Sequence, residues 1–418
     1  MRAGPLAAAV IGVLAGCVAA ACGAGPAKVT PHPASSSRSV AAGGRPSARC
    51  GGLVRVGPGV TVPPWRLGAI DFLSPRLGVA LTAAQVPCSS GPGQGIGFPR
   101  QQMRLAVSSD GGREWVTRGH VLGSGGPGPG LEQVAAASTW QVWALTDSGR
   151  LLETRNGGRS WRPLPLPGPV VDIAQAGATL WALSCPRRTS SWCRPVLERL
   201  ASPRAAWQRL PVPRLRSGFY KLLDAVSARA AVFLISHNGS ARADLVSTSD
   251  GGQQWAVRPA PGGPPVTRGR GRVCDIYAGI THAGPDRWWL MCNGSGAGGA
   301  CPEALMASTD AGRTWRTIAV VPRIHAIKPG SLPGTEVLAI VAGSARRLWL
   351  ATANGMAQSA DGGARWAPIR AGNPLGAGSW FDVFSPRRAW ALAPGTGLWG
   401  TSNGTAWHRI GASWPGLP

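Results

Sequence analysis

A tryptophan closes a short polar box again and again along this chain of 418 residues, at steps of 41 to 60 residues. The boxes read "SSDGGREW" (108–115), "TRNGGRSW" (154–161), "TSDGGQQW" (248–255), "STDAGRTW" (308–315), "SADGGARW" (359–366) and "TSNGTAW" (401–407). Trp115 to Trp161 is 46 residues, and another 46 reaches Trp207 in "ASPRAAWQRLP", a degenerate copy without the Asp and Gly. Steps of 48, 60, 51 and 41 lead to Trp255, Trp315, Trp366 and Trp407. Seven units of this length match the period of propeller blades, small sheets that bury their faces only by packing on one another.

Inside each unit the same order recurs. A short apolar run comes first, as in "IDFLSP" (70–75), "VVDIAQ" (170–175), "LLDAVS" (222–227), "VLAIVA" (337–342) and "WFDVFS" (380–385). A second run follows a turn, as in "GVALT" (78–82), "VWALT" (142–146), "LWALS" (180–184), "LWLAT" (348–352) and "AWALA" (389–393). A third strand leads into the box, and the Trp opens a fourth. The expectation is an all-β chain, a seven-bladed β-propeller of four-stranded antiparallel blades. Tryptophan usage agrees: 19 Trp against 6 Phe and 2 Tyr suit one large side chain reused at equivalent positions. The 60 Gly and 38 Pro supply the many turns.

The unit resembles the Asp-box (BNR) repeat of sialidases, sortilin-type receptors and the photosystem II stability/assembly factor family, over residues 66–410. The pattern S/T-x-D-x-G-x-x-W is met in full at Asp110, Asp250, Asp310 and Asp361, while Asn156 and Asn403 replace the Asp in two further boxes. In a tight hairpin this carboxylate accepts backbone N–H groups that no strand partner satisfies, a task an Asn oxygen also performs. Acid–base catalysis would not survive that exchange, and a Ca²⁺ site needs several oxygen ligands where each box offers one carboxylate. The boxes and their tryptophans therefore read as scaffold, with no metal and no cofactor expected.

The N-terminus, "MRAGPLAAAVIGVLAGC", reads as an export signal: Arg2, an apolar run from Leu6 to Leu14, then small residues. "LAGC" resembles the lipobox of bacterial lipoproteins and would make Cys17 the lipidated first residue of the mature chain; Cys22, in "AAAC", is the alternative. The domain reading is a lipoprotein signal peptide at 1–16, a Pro-, Ser-, Ala- and Gly-rich tether at 17–50, and the propeller at 51–418. That places the protein on the extracytoplasmic face of the cell membrane. The formal charge of +25 comes from 43 Lys and Arg against 18 Asp and Glu, and only three are lysines (Lys28, Lys221, Lys328). So lopsided an Arg excess reads as codon usage before it reads as a selected surface, and export argues against nucleic acid as the partner.

Strand order assigns the loops to faces. The box joins strands three and four, so it shares a face with the turn between strands one and two. The opposite face carries the links between blades and the loops between strands two and three, where the length varies: 85–102, 185–193, 261–273, 292–301 and 321–335. Arg187, Arg188, Arg194, Arg268, Arg270, Arg272, Arg323 and Lys328 fall there and form the candidate surface for a carboxylate or phosphate partner. The box face has basic turns too, "SPRLG" (74–78), "SARRLW" (344–349) and "SPRRAW" (385–390). An exported chain permits disulfides. Cys185–Cys193 and Cys292–Cys301 would each close a variable loop, and Cys50–Cys88 would fasten the tether. Cys274 is then left over, unless it pairs with Cys292.

Resemblance to sialidases implies an arginine triad, a Tyr–Glu nucleophile pair and an Asp acid/base. Tyr220 and Tyr277 are the only tyrosines, and "WRLGAI" (65–70) does not supply the expected arginine motif in blade one. The first-strand carboxylates Asp71, Asp172, Asp224, Asp275 and Asp382 recur at one repeat position, as a structural part does, although two could form an inverting glycosidase pair. The expectation is a monomeric, non-catalytic platform for an envelope protein or acidic ligand. A glycoside hydrolase and a passive binder of anionic wall polymer are the alternatives.

Overall fold

The computed structural model describes residues 66–86, 100–123, 133–146, 148–186, 195–213, 215, 219–236, 243–262, 276–293, 303–321, 331–333, 337–352, 355–369, 380–393 and 397–411. Among them are twenty-eight strands, β1–β28, and no helix. They form seven antiparallel sheets of four, each built from four consecutive strands. The seven-bladed propeller expected from the tryptophan spacing is the fold of the chain.

The first strands of the blades are β1 (Arg66–Phe72), β5 (Gln133–Ala136), β9 (Val170–Ala176), β13 (Phe219–Asp224), β17 (Ile276–His282), β21 (Val337–Ala342) and β25 (Trp380–Ser385). Each neighbours the first strand of the next blade, and β25 returns to β1. The second strands, such as β6 (Val142–Leu145) and β22 (Leu348–Thr352), are buried along their whole length. Both faces of such a strand meet another blade, which is why it reads as a continuous apolar run and not as an alternation. The fourth strands, such as β8 (Arg162–Pro163) and β24 (Ala367–Ile369), lie mostly in solvent.

Seven apolar clusters fill the seven seams between blades. Each box tryptophan enters the seam between its own blade and the preceding one: Trp161 and Trp207 do so in blades two and three, and Trp366 and Trp407 in blades six and seven. Five second-strand tryptophans fill the following seam from the other side: Trp143, Trp181, Trp289, Trp349 and Trp390, each no more than 1% exposed. In the closing seam Trp390 stacks on Phe72 at 3.7 Å, and Trp115 meets Phe72 edge-on at 6.0 Å. The tryptophan excess is thus spent twice in five of the seven blades, while the second strands of blades one and four have Val79 and Phe233 instead.

Candidate functional site

None of the eight basic residues assigned to the loop-rich face lies among the described residues, and the same holds for Cys17, Cys22, Cys50, Cys88, Cys193, Cys274 and Cys301. Cys185 and Cys292 are described, buried and disulfide-bonded. Their expected partners, Cys193 and Cys301, lie outside the described residues. The chemistry that can be followed is that of the acids, the boxes and the turns beside them.

Each box folds around its carboxylate. Asp110 Oδ1 accepts the N–H groups of Arg113 and Glu114 at 2.9 and 3.0 Å and the Ser108 hydroxyl at 2.8 Å. Ser108 in turn accepts Gly112 N–H, and the Trp115 indole donates to Gly112 O. Burial opposes ionisation of Asp110 and Asp361, but the N–H and hydroxyl donors outweigh it and hold both carboxyls below their ordinary range. At Asp250 and Asp310 the same kind of donor, led by Gln254 N–H and the Thr314 hydroxyl, lowers the carboxyl as well. Asn156 accepts Ser160 N–H through its oxygen, and Asn403 accepts Thr405 and Ala406 N–H. In each of these six boxes one side-chain oxygen, Oδ1, is thereby committed to its own hairpin.

The first-strand acids reach across the seams. Asp71 accepts Ala136 N–H of blade two at 2.6 Å, and Asp172 accepts Leu223 N–H of blade four at 2.7 Å. Asp382 accepts Phe72 N–H of blade one, closing the ring, and Asp224 meets His282 Nδ1 of blade five at 2.7 Å. Polar neutral residues continue the pattern: Gln133 accepts Ile173 N–H, and Thr281 accepts Ala342 N–H. In blade six the corresponding residue, Val341, carries no polar group. The acids do not share the single repeat position expected from the sequence: Asp71 and Asp382 pair with Val79 and Trp390 early in the second strand, whereas Asp172 pairs with Leu183 near its end, and Asp275 lies outside the described residues. Together these side chains form a belt of hydrogen bonds stitching blade to blade at two levels.

Two of these acids are unusual. Burial, against the lowering effect of Ala136 N–H, pushes Asp71 up to about 7. Asp382 is raised well above the ordinary range by burial and by the neighbouring charge of Asp71. They form a carboxyl pair at the closing seam, with Asp382 buried and Asp71 partly exposed. Tyr277, a residue weighed for sialidase chemistry, is buried, and its hydroxyl donates to Pro261 O. Tyr220 lies in β13, with its side chain outside the described residues. Among the described residues no group of three or more His, Cys, Asp or Glu is placed to hold a metal ion.

On the box face, Ser74, Ser138, Ser227, Ser344 and Ser385 each cap a first turn by accepting N–H groups two and three residues on. The residue two after the serine points outward: Arg76, Trp140, Arg229, Arg346 and Arg387 are all exposed. The carbonyls of Arg76, Trp140, Arg229 and Arg346 accept the first glycine N–H of the box in the same blade. Turn and box are therefore one joined unit. Sequence reading found these basic turns but not their common geometry.

The sequence matches no protein-family model and no curated protein. Among solved structures, YCF48 from Cyanidioschyzon merolae is 15% identical with a TM-score of 0.50, over 82% of this chain and 95% of that one. A YCF48 bound to a D1 peptide is 16% identical with a TM-score of 0.43, covering 67% and 80%. The GH74 enzyme of Niastella koreensis is 11% identical with a TM-score of 0.35, covering 82% and 78%. The likeness to the first of these is one of fold.

Proposed function

We propose that the chain is a non-catalytic binding platform, held outside the cytoplasmic membrane by a lipid on Cys17 or Cys22. Its loop-rich face takes an acidic partner, an envelope protein, through Arg187, Arg188, Arg194, Arg268, Arg270, Arg272, Arg323 and Lys328. One observation supports the non-catalytic reading above others: Asp71, Asp172, Asp224 and Asp382 all bond to a neighbouring blade. An acid tied across a seam, to a backbone N–H at Asp71, Asp172 and Asp382 and to the His282 ring at Asp224, is a structural part. The repeat's resemblance to the photosystem II stability/assembly factor family points the same way.

The test is affinity capture from native membranes with the full lipidated chain, washed at low and then high salt. A parallel bait carries Arg268→Glu, Arg270→Glu and Arg272→Glu. One protein that survives high salt and is lost from the altered bait supports the platform. Wall polymer shed by salt from both baits makes the chain a passive electrostatic binder and removes the site assignment.

A glycoside hydrolase is the second reading, and the Asp71–Asp382 pair favours it. Raised carboxyls held close together are what acid–base cleavage of a glycoside uses. Hydrolysis of a polysaccharide panel that disappears in Asp382→Asn while the fold persists would replace the platform by an enzyme.

A further inference from the structure

A cleft of about 550 Å³ opens on the box face over the seam between blades six and seven. Its walls are the two capped turns and the last box: Ser344, Arg346 and Arg347 from one side, Arg387 from the next blade, and Ser402 with Asn403 below. The three guanidinium groups have no carboxylate partner among the described residues. Their turns are fixed, because Ser344 accepts the N–H groups of both Arg346 and Arg347, and Arg346 O accepts Gly362 N–H. The adjoining box of blade six keeps its acid, but Asp361 Oδ1 is turned onto Arg365 N–H and the Ser359 hydroxyl.

The substitution in the seventh box gives the cleft its sign. Four boxes place a carboxylate where this one has Asn403. The Asn403 oxygen does the work of the hairpin, accepting Thr405 N–H at 2.9 Å and Ala406 N–H at 2.8 Å. Its amide nitrogen has no acceptor among the described residues. An Asp here would hold the hairpin equally well and would put a negative charge among three arginines. Asn removes that charge and brings an amide with two N–H donors to the lining of the cleft. We infer that this cleft is a binding site for a phosphate group, carried by a soluble or polymeric phosphoester or by a phospholipid headgroup.

Three guanidinium forks and an amide lining one cleft from two blades offer more donors than the two oxygens of a carboxylate can accept, and suit the three or more acceptor oxygens of a phosphate. The site also bridges the seam whose inner edge has Val341 in place of a polar stitch, so an occupant would tie blades six and seven together. It lies on the face opposite the loops assigned to an acidic protein partner, and it stands or falls independently of that reading.

The experiment is calorimetric titration of the full chain with inorganic phosphate at constant ionic strength, paired with melting curves. Saturable binding is expected, with a phosphate-dependent rise in melting temperature. Asn403→Asp, which keeps a box side chain used elsewhere in the ring, is expected to weaken binding about tenfold. Its melting temperature without phosphate should stay unchanged. Arg346→Glu combined with Arg387→Glu should abolish binding, and Arg76→Glu on blade one should leave it intact. Flotation with phosphatidylglycerol and phosphatidylcholine vesicles then separates the sources. Asn403-dependent flotation with the anionic vesicles alone supports a headgroup, and phosphate binding without flotation supports a soluble or polymeric phosphoester. Absence of saturable binding, equal binding by wild type and Asn403→Asp, or tighter binding of a glutamate-rich peptide than of phosphate would overturn the assignment.

Discussion

Trp390 joins the last blade to the first through a single side chain, stacked on Phe72 and donating to Gly111 O. Its replacement by Ala removes a fully buried ring from the closing seam and is expected to lower stability by about 3–5 kcal/mol. Trp140 is 52% exposed at a turn tip, and its loss should stay within about 1 kcal/mol. Denaturant titration of the two variants checks this; comparable losses would mean that the seam is not held by its tryptophan. The carboxyls beside that seam add a pH dependence. A carboxyl raised in the folded state stabilises fully below its unfolded value, 3.8 for Asp71, and loses that contribution as pH rises through the folded value of about 7. His282 acts in the same direction. Its burial lowers it, Asp224 outweighs that, and the net rise gives stability that fades as pH climbs through the raised value. Melting temperature should therefore fall from about pH 4 to about pH 7 through Asp71, with the His282 contribution fading above pH 6.5. Asp71→Asn, which can still accept Ala136 N–H, should flatten that fall and raise the melting temperature at pH 8. An unchanged slope would acquit the pair.

The box hairpin sets which substitutions a blade tolerates. Gly112 sits at φ 96°, and a Cβ there would lie 2.5 Å from Leu398 of the neighbouring blade. Ala311, at the preceding box position, adopts φ 59° in blade five, where other boxes have glycine. Gly112→Ala should thus destabilise by about 1–3 kcal/mol through overpacking, whereas Ala311→Gly should shift stability by less than about 1 kcal/mol. Melting curves that rank the two the other way would refute this account of the hairpin. Much of the element plan was legible in the sequence, because Trp115, Trp161, Trp207 and their successors mark one place in every blade. That acids return in the first strands, at Asp71, Asp172, Asp224 and Asp382, was legible too, but their differing registers were not. Their partners were not, since a partner such as Ala136 N–H stands 65 residues away and carries no side-chain signature. The cleft was hidden for a related reason. Arg346 and Asn403 are far apart in the chain, and only the closure of blade six on blade seven brings them together.

At the scale of the molecule, every sheet among the described residues is made of consecutive strands, and there no strand from one end of the chain completes a blade at the other. The ring is closed by side-chain packing, by Asp382 on Phe72 N–H and by Trp390 on Gly111 O. A chain ending before residue 380 would leave the faces of blades one and six bare, and it should aggregate near neutral pH. A monodisperse folded species in sedimentation would show that six blades can close alone. The same arrangement sets a schedule during synthesis. Blades two to six each gain a covering neighbour within tens of residues, but Phe72 must wait for Asp382, 310 positions later. At elongation rates of about 5–20 residues per second, one face of the first blade stays unprotected for about 15–60 s. Over that interval the nascent chain is most exposed to misassociation, and most in need of an escort.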